Sequence, residues 1–217
     1  MHESPYGYRV VASDILRLNK LYARKYFIKR LLSFASKIGH RYTFFVTARA
    51  MGKDAHLMRR LRHDGHEIAC HGFLHLDYLR LSIKEIERDV FFARKECNKL
   101  GLNDVGFRPP FLSSAECLDE ILSKAGFSYL SSYVEWSESM PCIPVIYPTD
   151  WDSWVIERRQ TFRREPLKEK EGVYLVHPWI LPKNNLFEFL SSFGSWKDLR
   201  IGQGPHPEGP RMSVDLY

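Results

Sequence analysis

The chain has 217 residues, 44% of them hydrophobic and 14% aromatic, so it can bury a sizeable core and is not a disordered chain. The net charge of +6 would suit an anionic partner, but the basic residues are scattered over helix-like segments, which argues against specific nucleic-acid binding. The N-terminal residues lack an apolar signal core and no apolar run approaches ~20 residues, so we expect no transmembrane segment and a cytoplasmic protein.

The first two thirds of the chain alternate between strand-like and helix-like segments. The pattern predicts strands at Tyr8–Ala12, Tyr42–Val46, Gly65–Cys70, Val105–Phe107 and Phe127–Leu130. It predicts helices at Leu21–Ile38, Asp54–His63, Ser82–Leu100 and Ser114–Ala125. Glu85 stands at capping-box distance from Ser82. This alternation with short connections implies an α/β fold with a parallel sheet, either open or closed into a barrel.

The last third of the chain is less regular. We predict strand-like segments at Pro141–Tyr147 and Gly172–Val176 and a closing helix at Asn184–Phe193. The segment from Gly202 to Pro210 is rich in glycine and proline and is expected to be extended. We therefore expect a single domain over residues 1–217, with its core at about 8–193 and an irregular tail at 194–217.

Two histidines four residues apart, His71 and His75, directly follow the predicted strand Gly65–Cys70. On a helical turn this spacing would put both imidazoles on one face, as a single divalent metal requires. The chain has 9 histidines, however, so the spacing can also arise by chance. The four cysteines form no CxxC pair, so a cysteine-rich zinc site is not expected and the thiols are expected to be reduced.

Two further polar residues stand at predicted strand ends, where α/β folds place their chemistry. Asp14 follows the first predicted strand, and His177 follows the strand Gly172–Val176. Each has a structural alternative. Asp14 could simply cap the next helix, and His177 could be a histidine of the core.

Five short motifs, taken together and in this order, closely resemble the polysaccharide deacetylase family, the NodB-homology domain of carbohydrate esterase family 4. They are Thr43-Phe44-Phe45-Val46, Gly65-His66-Glu67-Ile68, His71-Gly72-Phe73-Leu74-His75, Arg108-Pro109-Pro110-Phe111 and Leu175-Val176-His177. The resemblance implies a distorted (β/α) barrel with fewer than eight regular units. It also implies a metal-dependent hydrolase that removes acyl groups, usually acetyl, from amide nitrogens of amino sugars.

The resemblance assigns roles to individual residues. Asp14, His71 and His75 would hold the metal, which is zinc by default, although cobalt, manganese or iron would suit the same ligands. His177 would act as the general acid and protonate the leaving amine. Arg108 would orient the catalytic aspartate.

The expected substrate is an N-acylated sugar or glycan. A lipid-linked sugar reached through peripheral membrane contact would fit the basic charge of the chain. The candidates for contact with the sugar or the acetyl methyl are Pro109, Phe111, Trp151, Trp154 and Trp179. Large aromatic residues of this kind also commonly belong to the core.

One position departs from the family pattern. The first family motif carries two adjacent aspartates, a general base and a metal ligand, whereas this chain has Ser13-Asp14. A serine hydroxyl has no useful pKa near neutrality, so Ser13 cannot simply accept the proton. Either the enzyme is weak or silent, or Asp150 or Asp152 supplies the base, or the site is assembled in another register. A silent relative that binds metal and a carbohydrate or protein partner is thus the alternative function, and a basic module for an anionic surface is a third.

Overall fold

A computed structural model describes residues 17–133, 136–145, 172–176, 200–202 and 210–216, with side chains from residue 28 onward except at 172, 174, 176 and 210–212. The helices are α1 (Arg17–Ile38), α2 (Ala48–Lys53), α3 (Ala55–His63), α4 (Ile83–Lys99) and α5 (Leu118–Ala125). The strands are β1 (Thr43–Val46), β2 (Glu67–Cys70), β3 (Gly172–Val176) and β4 (Pro210–Leu216). Two short 3₁₀ turns lie at Tyr78–Arg80 and Pro110–Leu112. The predicted strand Tyr8–Ala12 and helix Asn184–Phe193 lie outside the described residues.

Helix α4 begins as its sequence predicts. In its capping box the Ser82 backbone N–H donates to Glu85 Oε2 at 2.8 Å, and the Ser82 hydroxyl also donates to that oxygen at 2.7 Å. Helix α5 ends at Gly126, whose φ of 80° is the left-handed conformation that glycine adopts without strain. The predicted start of α5 at Ser114 was too early, because the helix begins at Leu118.

The strands form a parallel sheet in the order β2–β1–β4–β3. Parallel bridges extend it beyond β2, from Cys70 to Phe107, from Phe107 to Leu130 and from Leu130 to Cys142. The strands predicted at Val105–Phe107 and Phe127–Leu130 are therefore reduced to single bridging residues. Since every pair is parallel, the carboxyl ends of all these segments meet at one edge of the sheet.

The tail predicted to be irregular contains a strand, so that expectation was wrong for residues 210–216. Strand β4 lies between β1 and β3, with Thr43 opposite Ser213 and Val176 opposite Val214. In β/α folds, strands that follow one another in the chain usually lie side by side. The position beside β1 is where a strand preceding α1 would be expected, and β4 occupies it.

The two faces of the sheet bury different residues. The face toward the helices is apolar and carries Phe44, Val46, Ile68, Val214 and Leu216. On the opposite face, Phe45, Ala69, Val173 and Leu175 belong to a smaller apolar cluster. Because side chains alternate along a strand, Thr43, Glu67, Ser213 and Asp215 also point to this second face, where all four are buried.

A buried carboxylate anchors the chain just ahead of β4. Glu67 accepts hydrogen bonds from the Thr43 hydroxyl at 2.5 Å, the Tyr129 hydroxyl at 2.8 Å and the Gly202 backbone N–H at 2.9 Å. The Ile201 N–H donates to the Thr43 hydroxyl at 2.7 Å. A Cβ at Gly202 would overlap Tyr129 and Glu67, so only glycine fits there. This network ties residues 201 and 202 to the amino ends of β1 and β2.

No helix within the described ranges is both long and apolar enough to cross a membrane.

Candidate active site

Arg108 lies at the carboxyl edge of the sheet, directly after the bridging residue Phe107. Its backbone N–H donates to the carbonyl of Cys70 at 2.8 Å, which fixes it next to the end of β2. The side chain is fully buried, and its guanidinium carbon lies 4.0 Å from the centre of the Phe45 ring. The motif thus buries the Arg108 guanidinium against the second face of the sheet, and a buried charge needs hydrogen-bonding or ionic partners.

Those partners come from β4 and from the segment after Leu130. Arg108 Nη1 donates to Asp215 Oδ1 at 3.0 Å and to the Ser213 hydroxyl at 2.7 Å, and Nη2 donates to the Ser131 hydroxyl at 2.8 Å. Burial lowers the pKa of Arg108, and the Asp215 carboxylate opposes that shift. An arginine side chain stays protonated in proteins, so Arg108 and Asp215 form a buried ion pair.

His71 faces the same carboxylate. Its Nδ1 lies 2.9 Å from the carbonyl oxygen of Arg108, and because a carbonyl can only accept, Nδ1 carries the proton. Its Nε2 lies 3.8 Å from Asp215 Oδ2. Nε2 is therefore the ring nitrogen that would ligate a metal ion, with the Asp215 carboxylate beside it. An imidazole nitrogen whose other ring nitrogen donates to a carbonyl in this way suits a zinc ion.

Asp215 is not among the residues predicted from the sequence, because the tail was expected to be irregular and Asp150 or Asp152 was expected to supply the carboxylate. A signal was available, because residues 212–216 alternate apolar and polar side chains, the pattern of a half-buried strand. Ser213 and Ser131, which accept hydrogen bonds from Arg108, were also not predicted. Each contributes only through Arg108, which is distant from it in the chain.

The expectation that His71 and His75 share a helical turn was wrong. Residues 71–77 are not helical, and the two rings nonetheless lie close, with centroids 5.1 Å apart. Gly72 has a φ of 78°, and the Phe73 and Leu74 N–H groups donate to the Asp89 carboxylate on α4 at 2.8 Å and 3.1 Å. A non-helical turn, held by hydrogen bonds to Asp89 of α4, therefore brings the two imidazoles together.

The Arg108 motif also supplies a wall to the site. Phe111 is 38% exposed and packs against His75, with ring centroids 4.7 Å apart. Phe111 and Leu112 both have positive φ, 60° and 56°, a strained conformation for such side chains. Strain of this kind persists where the surroundings enforce it, and here it holds an exposed aromatic ring beside a candidate metal ligand. Pro109 is buried next to it.

The remaining predicted residues lie outside the part of the chain that the structure describes. These are Ser13, Asp14, Asp150, Trp151, Asp152, Trp154, His177 and Trp179. Among the described side chains, no group of three His, Cys, Asp or Glu residues could hold a metal ion. His71, His75 and Arg108 are thus the predicted chemical residues that the structure brings to one place, and it adds Asp215 to them.

Comparison with known protein families matches residues 20–130, about half of the chain, to polysaccharide deacetylase. No curated protein matches the sequence. Among solved structures, a candidate polysaccharide deacetylase from Mycobacterium smegmatis is similar over 82% of this chain and 74% of its own, with a TM-score of 0.62 and 19% identity.

Two other solved structures share this fold. The carbohydrate esterase family 4 domain of a multidomain xylanase from the hindgut metagenome of Trinervitermes trinervoides covers 86% of this chain and 89% of its own, with a TM-score of 0.55 and 16% identity. A pseudoenzyme of the same esterase family from Bacillus anthracis covers 88% and 65%, with a TM-score of 0.57 and 14% identity. The fold is thus the distorted barrel of NodB-type deacetylases, as the motifs predict.

Proposed function

Because the chain belongs to the polysaccharide deacetylase family, we propose that it removes acetyl groups from amide nitrogens of an N-acetylated amino sugar or glycan, free or lipid-linked. The observation that carries the proposal is the buried group formed by His71, Arg108 and Asp215. It joins an imidazole, a cation and a carboxylate at the carboxyl edge of a parallel sheet, where such folds hold their catalytic residues.

His71 and His75 are proposed to bind a divalent metal, with Asp14 as the third ligand. The donation from His71 Nδ1 to the Arg108 carbonyl supports this role, because metal-binding histidines typically use the second ring nitrogen in this way. Zinc suits a site of two imidazoles and one carboxylate, and cobalt, manganese or iron would also be accepted. When bound, the metal would polarise the substrate carbonyl and lower the pKa of the attacking water.

Asp215 is proposed to be the general base that the first motif lacks. The family resemblance implies that Arg108 orients the catalytic aspartate. The carboxylate that forms an ion pair with Arg108 is that of Asp215. One carboxylate oxygen is held by the guanidinium at 3.0 Å, and the other lies 3.8 Å from His71 Nε2, on the side of the proposed metal. That second oxygen would take the proton from the water, so Ser13 would have no proton to accept.

His177 is proposed as the general acid that protonates the leaving nitrogen. Strand β3 ends at Val176, opposite Val214 of β4. His177 directly follows β3 in the sequence, and β3 pairs with β4, the strand that carries Asp215. An acid and a base from these two segments would serve the two proton transfers.

Asp150 is proposed to support Arg108 rather than to act as the base. Within the described ranges, the buried Nε of Arg108 has no hydrogen-bond acceptor. A buried donor of this kind is costly without a partner, and a second carboxylate would provide one. Asp152 would then have no proton-transfer role.

Phe111 is proposed to contact the substrate, together with Trp151, Trp154 and Trp179. The exposed Phe111 ring beside His75 offers an apolar surface to an acetyl methyl or to the face of a sugar. Such contacts would orient the amide toward Asp215 without taking part in proton transfer.

The alternative is a silent relative that keeps the metal and binds a carbohydrate or protein partner. Serine at position 13 favours it, since that residue cannot act as the base. The Arg108–Asp215 ion pair favours the enzyme instead, because it supplies a carboxylate where the serine does not.

The test is elemental analysis of the native protein and of His71→Ala, combined with acetate release from N-acetylglucosamine oligomers in the presence of zinc or cobalt. We expect about one metal ion in the native protein, loss of that metal in the variant, and acetate release by the native protein alone. A protein that takes up no metal even after reconstitution would contradict the proposal. Bound metal without acetate release from any N-acetylated sugar would favour the silent relative.

A further inference from the structure

The turn between His71 and His75 is held by a carboxylate outside the predicted motif. Asp89 extends from α4 and is buried, with 5% of its surface exposed. Its Oδ2 accepts from the Phe73 N–H at 2.8 Å and from the Tyr78 hydroxyl at 2.6 Å, and its Oδ1 accepts from the Leu74 N–H at 3.1 Å. Both oxygens are therefore committed to donors, two of which lie between the histidines.

These contacts replace the hydrogen bonds that a helix would have provided. The turn is not helical, so the Phe73 and Leu74 N–H groups need acceptors from elsewhere. Gly72 completes the geometry, because a Cβ there would lie 2.8 Å from the Leu74 carbonyl oxygen and 3.2 Å from Asp89 Oδ2. The backbone path from His71 to His75 is thus defined on one side by a glycine and on the other by Asp89.

We infer that Asp89 is a positioning residue for metal binding, which sets the separation of the two imidazoles through the backbone between them. This inference rests on the proposed function, in which His71 and His75 hold the metal. A carboxylate suits the task because it is purely an acceptor when ionised, and three donors converge on it. An asparagine of the same shape would turn an N–H₂ group toward at least one of these donors.

The experiment measures zinc affinity by competition with a chromophoric chelator, using the full chain. Asp89→Asn is expected to bind zinc about 10–100-fold more weakly than the native protein, the usual loss when support of a metal ligand is removed. Tyr78→Phe is the control, because it removes a hydrogen bond to Asp89 but leaves the Phe73 and Leu74 contacts in place. Its zinc affinity is expected to stay within about threefold of the native value.

A second pair of variants covers the case in which Asp89→Asn does not fold. Gly72→Ala and Gly101→Ala both place alanine at a positive φ, 78° and 67°, but a Cβ at Gly101 meets nothing within 4 Å. Only Gly72→Ala should weaken zinc binding, by a similar factor. The thermal midpoints of all four variants, measured without metal, separate loss of stability from loss of affinity.

The outcomes separate the role of Asp89 from the existence of the metal site. If Asp89→Asn and Gly72→Ala bind zinc as tightly as the native protein while His71→Ala loses it, Asp89 serves folding alone and this inference is overturned. If the native protein binds zinc no better than His71→Ala, the proposed metal site itself is wrong and the inference fails with it.

Discussion

The guanidinium of Arg108 donates a 3.0 Å hydrogen bond to the carboxylate of Asp215, a residue 107 positions further along the chain. Both side chains are buried, so neither charge is stabilised by bulk water. The pair joins the edge of the sheet to β4 and presents the second carboxylate oxygen to His71. Arg108 therefore couples the folding of β4 to the formation of the candidate site.

This coupling predicts how substitutions at Asp215 affect stability. Asp215→Ala leaves the Arg108 charge buried without its anionic partner and should lower the free energy of unfolding by about 3–5 kcal/mol. Asp215→Asn keeps an acceptor oxygen and should cost distinctly less. Urea denaturation at neutral pH measures both. Equal stabilities of the alanine variant and the native protein would show that the ion pair does not hold β4 in place.

The anchor at the opposite end of the sheet gives a second prediction. Glu67→Gln retains the shape of the side chain but has one acceptor oxygen where three donors converge. Because an unsatisfied buried polar group is costly, we expect a loss of about 1–3 kcal/mol in the free energy of unfolding. The exposed Glu116→Gln is the control and should be neutral. A neutral Glu67→Gln would contradict the role of this carboxylate.

Close packing around Tyr129 predicts a large effect at Gly106. A Cβ there would overlap the Tyr129 ring, which is itself buried, so Gly106→Ala should destabilise the fold by about 3 kcal/mol or more. Gly101→Ala is the comparison. A Cβ at Gly101 would meet nothing within 4 Å, so Gly101→Ala should cost only the strain of its positive φ of 67°, about 1–2 kcal/mol. Thermal denaturation of the two variants should show the larger drop for Gly106→Ala.

Acid should weaken the fold through His66. Burial lowers the pKa of His66 to about 4, and Nδ1 accepts a hydrogen bond from the Tyr42 N–H at 3.1 Å, so the folded protein holds a neutral ring. The unfolded chain takes up the proton near pH 6.5. Between these values the unfolded state binds more protons, so stability falls as the pH drops from 6.5 to 4, by up to about 3 kcal/mol.

His66→Asn should remove this dependence, because asparagine can keep the acceptor without titrating. His63→Gln is the matched control, since the His63 side chain is 88% exposed. Urea midpoints measured from pH 4 to pH 7 compare the three proteins. An acid slope that survives unchanged in His66→Asn would assign it to other groups.

Local patterns in the sequence predicted much of the fold. The bounds of α4, the glycine after α5 and the central strands β1 and β2 follow from capping, turn chemistry and apolar runs, all of which act within a few residues. The motifs carrying His71, His75 and Arg108 also predicted residues that the structure places together.

The remainder depends on contacts between distant segments. Strand β4 follows a stretch rich in glycine and proline, and its polar Ser213 and Asp215 are buried only because Arg108 receives them. The turn at Gly72 escaped prediction because its acceptor lies on α4. In both cases a buried charged side chain, Arg108 or Asp89, provides hydrogen bonds that cannot be predicted from the local sequence.

Asp215 is proposed to provide the base for a metal-dependent deacetylation. The direct measurement is the rate of acetate release from N-acetylglucosamine oligomers by the native protein and by Asp215→Asn, each loaded with zinc and assayed for metal content. We expect equal metal content in both proteins and a rate lower by about 10²–10⁴-fold in the variant, the usual contribution of a general base. A variant that binds zinc and releases acetate at the native rate would contradict it.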